Sequence, residues 1–393
     1  MKILHYITDI TSKDSKKIEE VLSMISATAK EAECHLMTIV TLPEDMDDML
    51  RKEGVQVHYI KKTSLKNPIL YLTAKKKIIK LLNTIEPELV HIHGAWEHTA
   101  GVVEKTARKK NIATIISTHG EFNMDYINDS FWKKRLLPLL MYQIPMLRKC
   151  TCLLLLSEEE KKKVYSIVRK KRIEITENTE DYSTQLTAVY QKAIDSIYHL
   201  NITEEEKNFV RRMVILSVTG IDKPYEERRK NKKRTEEEHI PLQEALDSLN
   251  FRRISFYAYD EDVTTLMMEG VRLKELSISS FVEAENIERY PNKKAKHRGS
   301  LEVLDIKPRK IRLPENEKEE LKSTLLIYRA YKLKFKGLTL RHLVELYKMF
   351  RYADFNEDIV GKELKYYGAK KFTKKLQKKM WSMFELQRGY DIF

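Results

Sequence analysis

Short apolar runs and amphipathic stretches take turns along the first 180 residues. Residues 2–7, 35–41, 56–60, 89–93, 114–118 and 153–156 are dense in Ile, Val, Leu and Thr and read as strands. Between them, residues 15–30, 44–53, 68–85 and 100–110 repeat their apolar positions every three or four residues, the spacing of helices with one buried stripe. Strands separated by helices of this length pair in parallel through crossovers. The pattern therefore predicts an α/β fold, a Rossmann-like parallel sheet with helices on both faces and working loops at the carboxyl ends of its strands.

The rhythm changes after about residue 182. Residues 183–199, 204–218, 241–249 and three stretches after residue 318 keep the helical spacing while strand-like runs largely disappear, so the C-terminal region is predicted to be mainly α-helical. A dense charge run at 223–238 and a basic, proline-bearing stretch at 290–319 read as exposed connectors. The expected units are a Rossmann domain over 1–182, a helical region over 183–288, a basic linker over 289–319 and a basic helical domain over 320–393.

A chain of 393 residues with 42% hydrophobic and 33% charged positions has the material for two or more cores. The net charge is +14, and residues 289–393 alone account for that excess. An acidic partner for the tail is implied, either an anionic membrane surface, nucleic acid or a protein. Residues 372–386 could lie on lipid as a basic amphipathic helix, or cover a helical core. The opening strand begins at once, and no stretch of about 20 apolar residues occurs, so neither an export signal nor a transmembrane helix is expected. Three cysteines, Cys34, Cys150 and Cys152, suit neither a disulfide framework nor a zinc site, and Cys150 and Cys152 are expected to be buried and structural. His91 and His93, two apart on a strand, share a side and could bind a metal only with a third ligand; no metal site is expected.

Several short motifs occur in order: Lys2-Ile3-Leu4-His5-Tyr6-Ile7, Leu89-Val90-His91-Ile92-His93-Gly94-Ala95-Trp96, Ser117-Thr118-His119-Gly120-Glu121, Trp132-Lys133-Lys134-Arg135 and Leu156-Ser157-Glu158-Glu159-Glu160. Together they resemble the N-terminal, acceptor-side domain of family-four GT-B glycosyltransferases of bacterial surface-polysaccharide synthesis. The resemblance implies His119 as the catalytic residue and His93, Gly94, Trp96, Gly120 and Glu121 as acceptor-binding residues. It also implies a nucleotide-sugar donor, a saccharide or lipid-linked acceptor, retention of anomeric configuration and no cofactor. The expected location is the cytoplasm, peripheral to the inner membrane, with a partner glycosyltransferase as a further contact.

Two departures stand out. The first loop, residues 8–17, lacks the glycines that let backbone approach a phosphate in that family. The donor half's Glu-x7-Glu signature has a counterpart in Glu275 and Glu283, without the flanking glycines, and the same spacing recurs at Glu236 and Glu244 in a charge run; residues 173–178, which resemble the strand opening that half, run on into a helix. The alternatives are a non-catalytic glycosyltransferase half acting as scaffold or regulator, and a nucleic-acid-binding protein acting through the tail.

Overall fold

Short strand-forming runs make one all-parallel sheet in the computed structural model, which describes residues 1–11, 15–61, 68–94, 96–121, 139–169, 172–176, 182–222, 243, 246, 248–278, 281–292, 295–314, 317–384 and 392. Its strands are β1 (Lys2–Ile7), β2 (Glu33–Thr38), β3 (Gln56–Tyr59), β4 (Leu89–His93), β5 (Ala113–Ser117), β6 (Cys152–Leu155) and β7 (Ile173–Ile175). They lie in the order β3-β2-β1-β4-β5-β6-β7. Every residue of β4 and β5 is buried, as expected of central strands covered by helices on both sides.

One face presents Leu4, Tyr6, Val90, Ile92 and Ile116 to helices α3 (Pro68–Ile85), α4 (His98–Lys109), α5 (Ile144–Lys149) and α6 (Glu158–Val168), through side chains such as Ile78, Val103, Leu147 and Val164. The opposite face presents Ile3, Leu89, Ile115 and Leu154 to α1 (Ser15–Glu31) and α7 (Tyr182–Asp195), where Met24, Leu186 and Tyr190 meet it. Helix α2 (Glu44–Lys52) covers the β2 side, with Leu50 fully buried.

Residues 173–175 do not open a second sheet. They pair in parallel with β6 as the edge of the first, Leu154 opposite Glu174. The following helix α7 returns over the sheet because its Leu186, Tyr190 and Ala193 stripe is needed to bury that face. Unit 1 accordingly comprises Met1–Leu200 together with Glu288–Tyr290, and extends past the expected boundary at 182. Residue Tyr290 is buried, its hydroxyl 2.7 Å from Cys152 Sγ and donating to Glu174 Oε1 at 2.7 Å. Cys34, Cys150 and Cys152 are all buried, and no disulfide joins them.

Unit 2 comprises Asn201–Ile287 and Pro291–Phe393. After the short α8 (Tyr198–Asn201), its helices are α9 (Glu204–Thr219), α10 (Phe251–Asp260), α11 (Thr264–Leu273), α12 (Lys318–Leu333), α13 (Leu340–Tyr352), α14 (Glu357–Tyr366) and α15 (Lys370–Phe384). No strand occurs among its described residues. Thr203 and Glu206 form a reciprocal capping box at the start of α9, and the buried Glu206 also receives Arg253 Nη2 at 2.7 Å. The stripe of α15 that could have met lipid is packed instead, with Leu376, Met380, Met383 and Phe384 in the helical core. The stretch expected as an exposed connector is held down: Leu301 is buried, and Arg329 donates to the carbonyls of Leu301 and Glu302, both at 2.8 Å. The charge run at 223–238 and most of 241–249 lie outside the described residues. No helix among the described residues is long and apolar enough to cross a membrane.

Helices α9 and α11 cross at Gly270, where an added Cβ would fall 2.1 Å from the Met213 carbonyl oxygen. Backbone yields poorly to such an intrusion. Gly270→Ala is expected to destabilise unit 2 by about 1–3 kcal/mol, read as a lower urea midpoint for α9 and α11 by hydrogen exchange; an unchanged midpoint would refute the close crossing.

Candidate functional site

The strand order reverses between β1 and β4, and a crevice outside the carboxyl ends of the strands at such a point is where open α/β sheets bind ligands. Register places His5 beside His91 and Ile7 beside His93, so His5, His91 and His93 emerge on the same face, under α1 and α7. At the end of β4, Gly94 takes φ +92° and donates its N–H to Ser117 O at 2.8 Å. At the end of β5, His119 (φ +47°) and Gly120 (φ +74°) make a left-handed turn. A non-glycine residue held there costs about 1–3 kcal/mol, so surrounding contacts must hold it.

Those contacts are specific. Glu160, buried at the start of α6, accepts from Gly120 N (2.8 Å), Leu156 N (3.2 Å) and the Thr118 hydroxyl, pinning the turn from below. Histidine 119 places Nδ1 3.0 Å from Glu20 Oε2 of α1 and Nε2 3.0 Å from His93 Nδ1. His93 Nε2 lies 2.9 Å from His5 Nδ1, and His5 Nε2 lies 3.1 Å from Thr28 Oγ1. Beside this row, His91 bridges the Tyr190 hydroxyl (2.7 Å) and Ser117 Oγ (2.8 Å), its ring 4.2 Å from that of His93.

Over the mouth, Lys17 of α1 pairs with Glu121, whose backbone carbonyl accepts from Trp96 Nε1 at 3.2 Å. A Cβ on Gly94 would sit 2.9 Å from both Glu121 Oε1 and Lys17 Nζ, so the glycine is what lets this pair close over the strand end.

Burial holds the imidazoles of His91 and His93 well below their usual range, and that of His5 at about 3. Neighbouring imidazoles add to the effect at His91 and His93. Neutral imidazoles are also what a metal ion requires, and one nitrogen from each of His5, His91 and His93 lies within 4.8 Å of the others. The His5–His93 separation of 2.9 Å, however, is a hydrogen-bond distance. It is shorter than the ~3.3 Å between ligand nitrogens set tetrahedrally at ~2.0 Å from zinc.

The structure thus gathers His93, Gly94, Trp96, His119, Gly120 and Glu121 at the carboxyl ends of β4 and β5. Sequence reasoning left His5, Ser117 and Glu160, which stand within the quoted motifs, without a role, and did not single out Lys17, Glu20, Thr28 and Tyr190. His5 could have been found, since it is in phase with a strand whose neighbour carries two histidines; the helical residues carry no local signal. Trp132-Lys133-Lys134-Arg135 lies outside the described residues. In unit 2, Glu275 follows α11 at φ +54° and Glu283 accepts from Asn286 Nδ2 at 2.6 Å; both are exposed. Neither lines the cavity of about 450 Å³ in that unit, bordered by Lys322, Arg341, Lys348, Glu302, Glu319 and Glu345.

Two outcomes are expected. Glu160→Ala strands buried donors at Thr118 and Gly120 and should cost about 1–3 kcal/mol, with exchange of the β5–α6 amides accelerated ahead of the rest. For His91, a depressed folded pKa means that neutral-form stability is present above the unfolded value near 6.5 and is lost as pH falls below it. Stability of β1 and β4 to exchange should decline on acidification from pH 7 by up to about 1.4 kcal/mol per pH unit per histidine, and His91→Asn should flatten that slope.

Residues 21–151 match a family model described as Glycosyl transferase 4-like. No curated protein matches the chain. Among solved structures, MurG of Acinetobacter baumannii is similar at 12% identity, with 46% of this chain and 46% of that chain covered and a TM-score of 0.31. The chain thus spans under half the length of that protein. Over the segment carrying β4, β5 and their histidine-bearing carboxyl ends, the chain is glycosyltransferase 4-like.

Proposed function

We propose that unit 1 is the acceptor-side half of a glycosyltransferase-like protein of surface-polysaccharide synthesis, acting in the cytoplasm on a saccharide or a lipid-linked acceptor at the inner membrane. The observation carrying this reading is the pinned left-handed turn at His119 and Gly120, which sits at the carboxyl end of β5, next to the strand-order reversal. His119 is the centre of that site, with His93, Gly94, Trp96, Gly120 and Glu121 framing the acceptor. Sugar would come from a nucleotide sugar. No cofactor is invoked, because backbone N–H groups and basic side chains can neutralise a leaving diphosphate. Glu275 and Glu283 stand as the donor-side candidates.

A second reading, a scaffold or regulator built on a glycosyltransferase half, is favoured by the helical make-up of unit 2, whose described residues hold no second parallel sheet.

Calorimetry of the full chain against UDP-, GDP- and ADP-sugars separates the two. Saturable binding of one donor is expected, with His119→Ala lowering turnover on that donor by on the order of a hundredfold or more. A folded protein that binds none of them would overturn the transferase reading in favour of the scaffold.

A further inference from the structure

We infer that Glu20 is the proton-exchanging group of this site, backed by a buried wire through His119, His93 and His5 that holds one proton more than a carboxylate and three neutral imidazoles.

Four hydrogen bonds lie in series: Glu20–His119, His119–His93, His93–His5 and His5–Thr28, at 3.0, 3.0, 2.9 and 3.1 Å. The single hydroxyl proton of Thr28 is committed elsewhere, because Oγ1 donates to the Met24 carbonyl oxygen at 2.7 Å and a carbonyl can only accept. His5 must therefore supply the proton to Thr28 through Nε2. Each link needs one proton, and three neutral imidazoles bring only three.

The fourth has two kinds of place. With Glu20 as a carboxylic acid, it donates to His119 Nδ1, and every imidazole carries its proton on Nε2 and donates inward. With Glu20 as a carboxylate, one of the three imidazoles is an imidazolium. Passing from one form to the other moves protons only along bonds of about 3 Å already made, and the row stays at net charge zero throughout. Burial penalises a lone imidazolium here, and the Glu20 carboxylate is what makes the extra proton tolerable.

The outer end of the wire is Glu20. The His119 side chain is wholly buried, with both ring nitrogens engaged, whereas the Glu20 side chain is a quarter exposed. A hydroxyl that reached the exposed part of Glu20 would meet a carboxyl group that can present itself as acid or base without any exchange with solvent. The other titratable groups around the row are His91 against His93, the paired Lys17 and Glu121 above it, and Tyr190 and Tyr182 from α7. Burial raises both tyrosines and keeps them neutral.

Protonation of the row is independent of sugar transfer and can be read without any substrate. Nitrogen-15 NMR of histidine-labelled full-length protein at neutral pH reads the protonation and tautomer of each ring, and carbon-13 NMR reads the Glu20 carboxyl. In the wild type, one excess proton is expected on Glu20 or shared among the rings, with His5 protonated at Nε2. Thr28→Val removes the acceptor at the inner end, so His5 turns to the Nδ1–H tautomer, Glu20 becomes a plain carboxylate and one proton is lost; Thr28→Ser restores the wild-type pattern. Should Thr28→Val not fold, Glu20→Gln serves, since its amide donates to His119 and leaves three neutral Nε2–H rings. Three neutral imidazoles beside a wild-type Glu20 carboxylate would overturn the inference. So would a stoichiometric metal ion found at His5 and His93 by elemental analysis.

Discussion

Imidazoles sealed under α1 and α7 must find every hydrogen bond within the protein, and that demand organises unit 1. His5, His91 and His93 stand where a doubly wound sheet would ordinarily place Ile or Val, on the face that Ile3, Leu89 and Ile115 otherwise make apolar. Each of their ring nitrogens has a partner. An unpartnered one would forfeit on the order of 1–3 kcal/mol, which fixes the azimuth of α1 through Thr28 and of α7 through Tyr190. The two helices that cover this face are therefore positioned by polar contacts as much as by their apolar stripes.

Unit 2 solves a different problem with different means. Its helices are amphipathic, and buried carboxylates tie several of them together. Glu206 ties the start of α9 to Arg253 of α10, and Glu261 accepts from Leu340 N at the start of α13 while pairing with Lys296. Buried carboxylates acting as helix caps and ion-pair partners at once make the packing register specific.

Much of this was legible beforehand where the physics is local. The strand-and-helix alternation of residues 2–156, the same-side placement of His91 and His93, and the burial of Cys150 and Cys152 follow from period, length and flanking turns. What escaped notice depends on contacts between residues far apart in sequence. Nothing local in Ile173-Glu174-Ile175 says whether it opens a sheet or finishes one; the vacant edge of β6 decides. Glu20, Thr28 and Tyr190 look like ordinary helix residues, and their role appears only once α1 and α7 are laid over β1 and β4. Helix α14 was missed because its buried stripe is reduced to Val360, Gly361, Glu363 and Leu364.

The three residues Glu288, Arg289 and Tyr290 give the chain an unusual order of assembly. Unit 1 reaches Leu200, yet Tyr290, which sits over Cys152, Glu174 and Lys192, is separated from it by the whole of 201–287. During synthesis the sheet would leave the ribosome with that flank uncovered. It would be closed only after roughly ninety further residues had emerged, so the first half of this protein is finished by a piece of its second.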